Sequence, residues 1–81
     1  MIDGRQVRAA RGWLGLEQQE LAQIAGIARD TLRRFEHGKH TMRPSALDRV
    51  RSTLEAGGIA FTFTRDGRPL GIEDARAQTA P

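Results

Sequence analysis

The residues best suited to bind an acidic ligand are the arginines of GIARDTLRRFEHGK, which spans residues 26–39. Asp30 precedes Arg33 and Arg34 by three and four residues, spacings at which opposite charges pair along a helix surface. The stretch contains three arginines, Arg29, Arg33 and Arg34. Because Asp30 is the one carboxylate on their side of the predicted helix, at least two of the three are expected to keep an uncompensated charge. Arginine presents a planar fork of donors that fits phosphates and guanine edges. The stretch is therefore either a salt-bridged, solvated helix face or a surface for an acidic partner.

The positive charge of the chain is concentrated around this stretch. The 81 residues carry a formal net charge of +3, and all but one of the 13 basic residues are arginine. Residues 29–51 hold seven basic side chains against three acidic ones, whereas the rest of the chain has six against seven. Such a local excess is typical of a protein with one basic face. The alternative explanation is a genome rich in G and C, which enriches arginine over lysine.

Composition disfavours several other classes of protein. The absence of cysteine excludes disulfides and thiolate zinc sites. No segment approaches the roughly 20 apolar residues of a membrane span, and no signal peptide is evident, so we expect a cytoplasmic protein. His37 and His40 lack a nearby third ligand, and no catalytic Ser/His/Asp or paired-carboxylate arrangement is seen, so we expect no metal, cofactor or enzymatic activity. Four aromatic residues fall on apolar stripes and are expected in the core or an interface: Trp13, Phe35, Phe61 and Phe63.

Two helices are predicted from their capping signatures, one on each side of residues 18–37. Asp3 can cap the first helix, with Gln6 three residues later as the reciprocal partner of a capping box. A similar signature at residues 45–48 predicts the start of another helix, which Gly57 ends.

Between them, the pattern predicts two short helices joined by a turn. One covers residues 18–25 and is followed by Gly26, the residue best able to take a left-handed conformation. The next runs over about residues 28–37. At roughly 100° per residue, its arginines gather on one side and its apolar residues, Leu32 and Phe35, on the other. The arginines are therefore expected to face outward.

The chain then changes period. Residues 59–64 alternate bulky apolar side chains with alanine and threonine, which predicts a half-buried strand. Asp66-Gly67 predicts a hairpin turn, and Pro69 limits the pairing of a return strand. A short strand with an apolar face and an unpaired edge favours pairing with another chain. The side chains expected to take part in dimerisation are Ile59, Phe61 and Phe63. The expected organisation is a helical unit, a strand or hairpin and a mobile tail at residues 1–57, 58–72 and 73–81.

The spacing of the two short helices is typical of a helix-turn-helix. Such helices cross closely, so their contact point needs a small residue and their turn needs glycine. Counted from Gln18 as position one of a twenty-residue unit, Ala22 falls at position five and Gly26 at position nine. The buried positions four, eight, ten, fifteen and eighteen hold Leu21, Ala25, Ile27, Leu32 and Phe35.

With these residues, LGLEQQELAQIAGIARDTLRRFEHGK resembles the phage-repressor-like helix-turn-helix family, the Cro/C1 or XRE family of transcriptional regulators. The resemblance extends over residues 2–54 and implies a mainly α fold. We expect a phage-repressor-like bundle of four helices, followed by a C-terminal β-strand or short hairpin where the family commonly has a fifth helix. The resemblance also implies a buried salt bridge between Arg11 and Glu36. Ala28 stands where the family usually has Ser or Thr, so a helix cap of about 1 kcal/mol is absent.

The resemblance further implies sequence-specific binding of double-stranded DNA. A bacterial or phage-encoded repressor, associated with the nucleoid, would insert residues 28–37 into the major groove as a homodimer on a palindromic operator. The base-reading residues would be Ala28, Arg29, Asp30, Arg33 and Arg34. The residues flanking the DNA backbone would be Gln18, Lys39, His40, Thr41 and Arg43.

A second interpretation is an antitoxin-type protein-interaction module. In this case the C-terminal strand binds a partner protein, such as a toxin or another regulator, while the helices autoregulate the operon. The segment IAFTFT discriminates between the two. Pairing with its own copy favours the regulator, whereas a monomer that binds a co-expressed toxin favours the antitoxin.

Overall fold

In the computed structural model, residues 1–76 are described and form four helices followed by a two-stranded antiparallel sheet. The elements are α1 (Gly4–Leu14), α2 (Gln18–Ala25), α3 (Arg29–Glu36), α4 (Pro44–Ala56), β1 (Ile59–Phe63) and β2 (Pro69–Asp74). The predicted mainly α bundle with a C-terminal hairpin is confirmed. Within residues 1–76, no helix is long and apolar enough to cross a membrane.

The C-terminal boundary differs from the expected one. The tail was expected from residue 73, but Glu73 and Asp74 continue β2, where they pair with Ala60 and Ile59 of β1. The ladder therefore uses the whole length of β1, despite Pro69 at the start of β2. Ala75 and Arg76 form a turn after β2, and residues 77–81 of the expected tail lie outside the described residues.

The two helix starts that were predicted from capping boxes form in different ways. Asp3 caps α1: its carboxylate accepts from the backbone N–H groups of Arg5 and Gln6, and the Gln6 side chain accepts from the Asp3 N–H. The fourth helix forms as predicted, but its predicted capping box is wrong, because α4 begins at Pro44 with Arg43 rather than Ser45 at the N-cap position. Proline suits the first helical position, since its fixed φ is already helical and its missing N–H would lack a partner there.

The core lies between the four helices and the inner face of the hairpin. The largest fully buried side chains are Val7, Leu21, Leu32, Val50 and Leu54. Ile59 and Phe61 of β1 join the same cluster, so the hairpin completes the core of its own chain.

A glutamine of α1 attaches the hairpin to the helices. Gln6 is 3% exposed, and its Nε2 donates to the carbonyl oxygens of Thr62, 2.8 Å away, and Gly71, 2.9 Å away. These carbonyls lie beside an irregularity in the strand pairing. Thr62 pairs with Gly71 and Phe63 with Pro69, which leaves Leu70 as an extra residue in β2. Such a bulge interrupts the ladder, and the amide of Gln6 binds at that point.

Some of the large apolar side chains are buried and others are exposed, and the sequence did not predict which. Phe35 and Phe61 are buried, but Trp13 is 63% exposed and its Nε1 donates to the Asp74 carboxylate over 3.1 Å. Ile24 on α2 is also exposed. Trp13 therefore lies on the surface, where it connects the end of α1 to the end of β2.

Candidate nucleic-acid interface

The turn between α2 and α3 sets the direction of the basic helix. Gly26 has a φ of 70°, in the left-handed region that favours glycine. Its N–H donates to the Ala22 and Gln23 carbonyls at the end of α2. Leu21 and Ala22 of α2 are buried together with Leu32 of α3. This packing brings the two helices into close contact and leaves the opposite side of α3 open.

A buried polar cluster fixes the end of α3. Arg11 of α1 and Glu36 of α3, which the resemblance pairs, are joined by two hydrogen bonds, Nε to Oε2 at 2.9 Å and Nη2 to Oε1 at 3.0 Å. Arg11 also donates through Nη1 to the Leu16 carbonyl. A carboxylate removed from water requires such partners. The position of α3 is therefore tied to α1 and to the loop before α2.

Gln18 takes part in the same cluster. Its Nε2 donates to Glu36 Oε1 over 3.1 Å, so the side chain that was expected to flank the DNA backbone donates inward. At the start of α2, the Glu20 side chain accepts from the Glu17 N–H over 2.9 Å as part of a capping box, so this helix start is capped within the chain. The eighteen-residue separation between Gln18 and Glu36 gives no sequence signal for this contact.

Gly4 allows a close approach that sequence reasoning missed. A Cβ at this position would lie 2.1 Å from the Phe35 carbonyl oxygen and 2.8 Å from Glu36 Cα. The first turn of α1 therefore lies directly on the backbone at the end of α3. The available signal was a glycine at the start of a well-capped helix, where alanine would otherwise be the better helix former.

The outward side of α3 carries the charged residues in an ordered arrangement. Asp30 Oδ1 accepts from Arg33 Nη2 at 2.6 Å and from Arg33 Nε at 3.2 Å. This hydrogen bond holds the pKa of Asp30 below its ordinary value. Within the described part of the chain, Arg29 and Arg34 form no side-chain hydrogen bond. The sequence left Arg33 and Arg34 as equal partners for Asp30, and the structure pairs it with Arg33.

The start of α3 is open and exposed. Ala28 occupies the N-cap position, and among residues 1–76 no side chain caps this helix. Its first N–H groups are therefore available to an external acceptor.

The loop between α3 and α4 presents the other expected DNA-flanking residues on the surface. Met42 is buried and anchors the loop, while its neighbours are exposed. The Lys39 N–H donates to the Arg34 carbonyl at 2.9 Å, so the loop starts directly from the last turn of α3. The exposed neighbours are Lys39, His40, Thr41 and Arg43. Among residues 1–76, no three His, Asp or Glu side chains come together as metal ligands.

Two arginines of the basic segment serve the fold instead. Arg49 Nε donates to the Ala25 carbonyl at the end of α2 over 2.9 Å. Arg51 lies over the rings of Phe61 and Phe63, 5.8 and 5.7 Å from their centroids, and pairs with Glu55. Among the basic side chains of residues 29–51, those without a hydrogen bond or ion pair to the described residues are therefore fewer than the sequence indicated. They lie on α3 and in the loop after it: Arg29, Arg34, Lys39 and Arg43.

The comparison with known families agrees with this arrangement. Residues 4–60, more than half of the chain, match the helix-turn-helix domain family, and the chain belongs to that family. The match begins at the first residue of α1 and ends within β1, so it includes all four helices described above. The domain occurs in XRE-like regulators and is consistent with the Cro/C1 type. Domains of this family bind DNA and are non-enzymatic. No curated protein matches the sequence.

Proposed function

We propose that this protein is a sequence-specific transcriptional regulator, acting as a repressor, that inserts α3 into the major groove of double-stranded DNA. The observation that carries the proposal is the division of α3 into two sides. Leu32, Phe35 and Glu36 are buried and hold the helix in place, while Arg29, Arg33 and Arg34 remain on the surface. The major groove admits one α-helix and presents guanine O6 and N7 to arginine.

The residues of this surface have distinct roles in the proposed complex. Arg33, held by Asp30, reads a base edge, because a guanidinium in a fixed orientation distinguishes guanine better than a mobile one. Ala28, Arg29 and Arg34 lie beside it on the same helix. The α3–α4 loop contacts phosphates through Lys39, His40, Thr41 and Arg43.

The proposed active form is a homodimer on a palindromic operator. One α3 of eight residues reads only a few base pairs, and a two-fold dimer doubles that site at a spacing of about one helical turn of DNA. A protein bound to such an operator represses transcription by occupying the DNA.

Two experiments test the proposal. Selection of bound duplexes from random DNA is expected to give a palindrome, whose half-site spacing reports the dimer. Arg33→Ala is then expected to weaken operator binding by about 1–3 kcal/mol and random-duplex binding by less. Arg65→Ala, which removes the same charge from the hairpin turn, serves as the control and leaves both affinities unchanged. The proposal is contradicted if Arg33→Ala and Arg65→Ala lose the same operator affinity, or if the selection enriches no DNA sequence.

The antitoxin alternative is less well supported. It needs the apolar side chains of the C-terminal strand for a partner protein, but Ile59 and Phe61 are buried within the chain. A toxin that co-purifies with the protein and competes with β1 would favour this alternative instead.

A further inference from the structure

The positively charged surface extends beyond the α3–α4 loop to the place where α1 meets the end of α3. Two shallow depressions adjoin there and share Asp3, Gly4 and Gly38 in their walls. One depression is also lined by Arg5, Arg8, Glu36 and His37. The other is also lined by Phe35, Lys39, His40 and Thr41. The surface therefore continues from the α3–α4 loop, across the end of α3, onto α1.

The position of Arg8 on this surface follows from the close contact at Gly4. Gly4 lies against the Phe35 and Glu36 backbone, and Arg8 is four residues further along α1, so it lies on the same face one turn away. Arg11, seven residues from Gly4, reaches Glu36 from that same face. Arg8 is thus held beside the last turn of α3, although its own side chain is exposed.

On this surface the carboxylates have basic partners, but two of the basic side chains have no acidic partner. Both nearby carboxylates are engaged: Asp3 accepts from the Arg5 guanidinium at 2.8 Å, and the buried Glu36 is bound by Arg11. Arg8 and Lys39, in contrast, form no side-chain hydrogen bond to any of residues 1–76. Exposed cations that have no acidic neighbour to neutralise them attract an external anion.

We infer that Arg8 is a further DNA-binding residue, which contacts a backbone phosphate beyond the end of α3. This inference rests on the proposed function, because the phosphate belongs to the duplex whose major groove receives α3. Together with His37 and Lys39, Arg8 extends the phosphate-binding surface from the loop onto α1. The alternative is that Arg8 only offsets the partial negative charge at the C-terminus of α3, which affects stability and not DNA binding.

Salt-dependent binding separates these two roles. The full chain and its Arg8→Gln and Arg8→Lys variants are titrated with the selected operator and with a random duplex between 50 and 200 mM salt. Loss of one phosphate contact lowers affinity by roughly three- to tenfold on both duplexes and reduces the slope of log K against log [salt] by about one. Arg8→Gln is expected to show both effects, whereas Arg8→Lys, which keeps the charge, retains the slope. Arg65→Gln is the matched control and is expected to change neither.

Replacing single phosphates of the operator by uncharged linkages then locates the phosphate that Arg8 contacts. Methylphosphonate groups are placed one at a time along the operator, and one position is expected to weaken the wild type but not Arg8→Gln. If Arg8→Gln keeps the wild-type affinity and the wild-type salt slope while Arg33→Ala still binds the operator more weakly, the inference is overturned and the proposed function stays intact. A wild-type protein that binds no duplex at 50 mM salt would overturn both. A lower thermal stability of Arg8→Gln with unchanged DNA binding would assign Arg8 to the helix terminus and also overturn the inference.

Discussion

Glu36, the last residue of α3, is 2% exposed and forms a two-point ion pair with Arg11 of α1. Gln18 of α2 donates to the same carboxylate. One buried acidic group therefore joins three helices. Since the outward arginines lie on the same short helix, the orientation of the basic face depends on this contact.

Removal of one partner of the Arg11–Glu36 pair is expected to destabilise the fold strongly. Arg11→Met leaves the Glu36 carboxylate buried without its main partner, which lowers the free energy of unfolding by about 3–5 kcal/mol. Urea denaturation followed by circular dichroism measures this change. The control is Glu55→Gln, which removes the exposed Arg51–Glu55 pair and should cost at most about 1 kcal/mol. The double variant Arg11→Met/Glu36→Met is expected to recover much of the loss. Similar values for Arg11→Met and the control would contradict the role assigned to the pair.

Two glycines of α1 should respond to alanine in opposite directions. At Gly4 the new Cβ would lie 2.1 Å from the Phe35 carbonyl oxygen, so α1 must shift and stability falls by about 1–3 kcal/mol. At Gly12 no described atom lies within 4 Å of a Cβ, and the higher helix propensity of alanine adds about 0.5–1 kcal/mol. Thermal unfolding of both variants tests this difference. An equal response would mean that α1 does not contact α3 as described.

Phe61 is expected to act within the monomer. Its ring is buried in the core beside Arg51, so Phe61→Ala should lower the unfolding free energy by about 3–5 kcal/mol, by an amount independent of protein concentration. Leu70→Ala, in the same hairpin but 68% exposed, should stay within about 0.5 kcal/mol. Sedimentation and chemical denaturation at several concentrations make the comparison. If Phe61→Ala instead lowers the dimer mass without changing stability, the sequence prediction for this strand holds.

Asp30 is expected to affect specificity more than affinity. Asp30→Asn frees Arg33 and removes a negative charge from the DNA-facing side, so binding to random DNA should strengthen while the preference for the operator falls. Asp48→Asn, an equivalent change on the exposed side of α4, is the control. The ratio of operator to random affinity at one salt concentration is the quantity to measure. A ratio that stays at the wild-type value would show that Asp30 does not orient Arg33.

Acid should destabilise the fold partly through Asp3. Burial raises the pKa of Asp3, but hydrogen bonds from the Arg5 side chain and from two backbone N–H groups outweigh burial and hold the pKa below 3.8. A lowered pKa in the folded state means that this stabilisation is present above the unfolded value and is lost as the pH falls through the folded one. Asp3→Asn, which keeps a capping acceptor but does not titrate, should therefore flatten the loss of stability below about pH 4. An identical pH profile for variant and wild type would exclude this contribution.

The sequence allowed the helical part of the fold to be predicted because its signals are local. The Asp3 cap, Gly26 and the apolar register of α2 and α3 depend on residues a few positions apart. The outward direction of Arg29, Arg33 and Arg34 follows from the same helical period.

The remaining features depend on contacts between distant parts of the chain. Gln6 gave a signal only for the start of α1, and its bonds to Thr62 and Gly71 span more than fifty residues. Arg49 was counted with the basic face because its partner, the Ala25 carbonyl at the end of α2, carries no charge that a sequence pattern would reveal. Arg51 was counted there because Glu55, its partner four residues later, lies outside residues 29–51, and the two aromatic rings that it covers carry no charge. The exposure of Trp13 likewise depends on where β2 ends.

The side chain of Gln6 also bears on how the molecule unfolds. Its oxygen helps to start α1, and its nitrogen holds the two hairpin strands at their bulge. The first turn of the helical unit and the C-terminal strands thus share one amide, so neither is expected to open alone. Backbone amides of α1 and of β1 should exchange hydrogen at a common rate, as a single cooperative unit. The boundary of the family match at residue 60 therefore falls inside this unit, and a fragment cut there would leave the Gln6 amide without its two hairpin carbonyls and the core without Phe61.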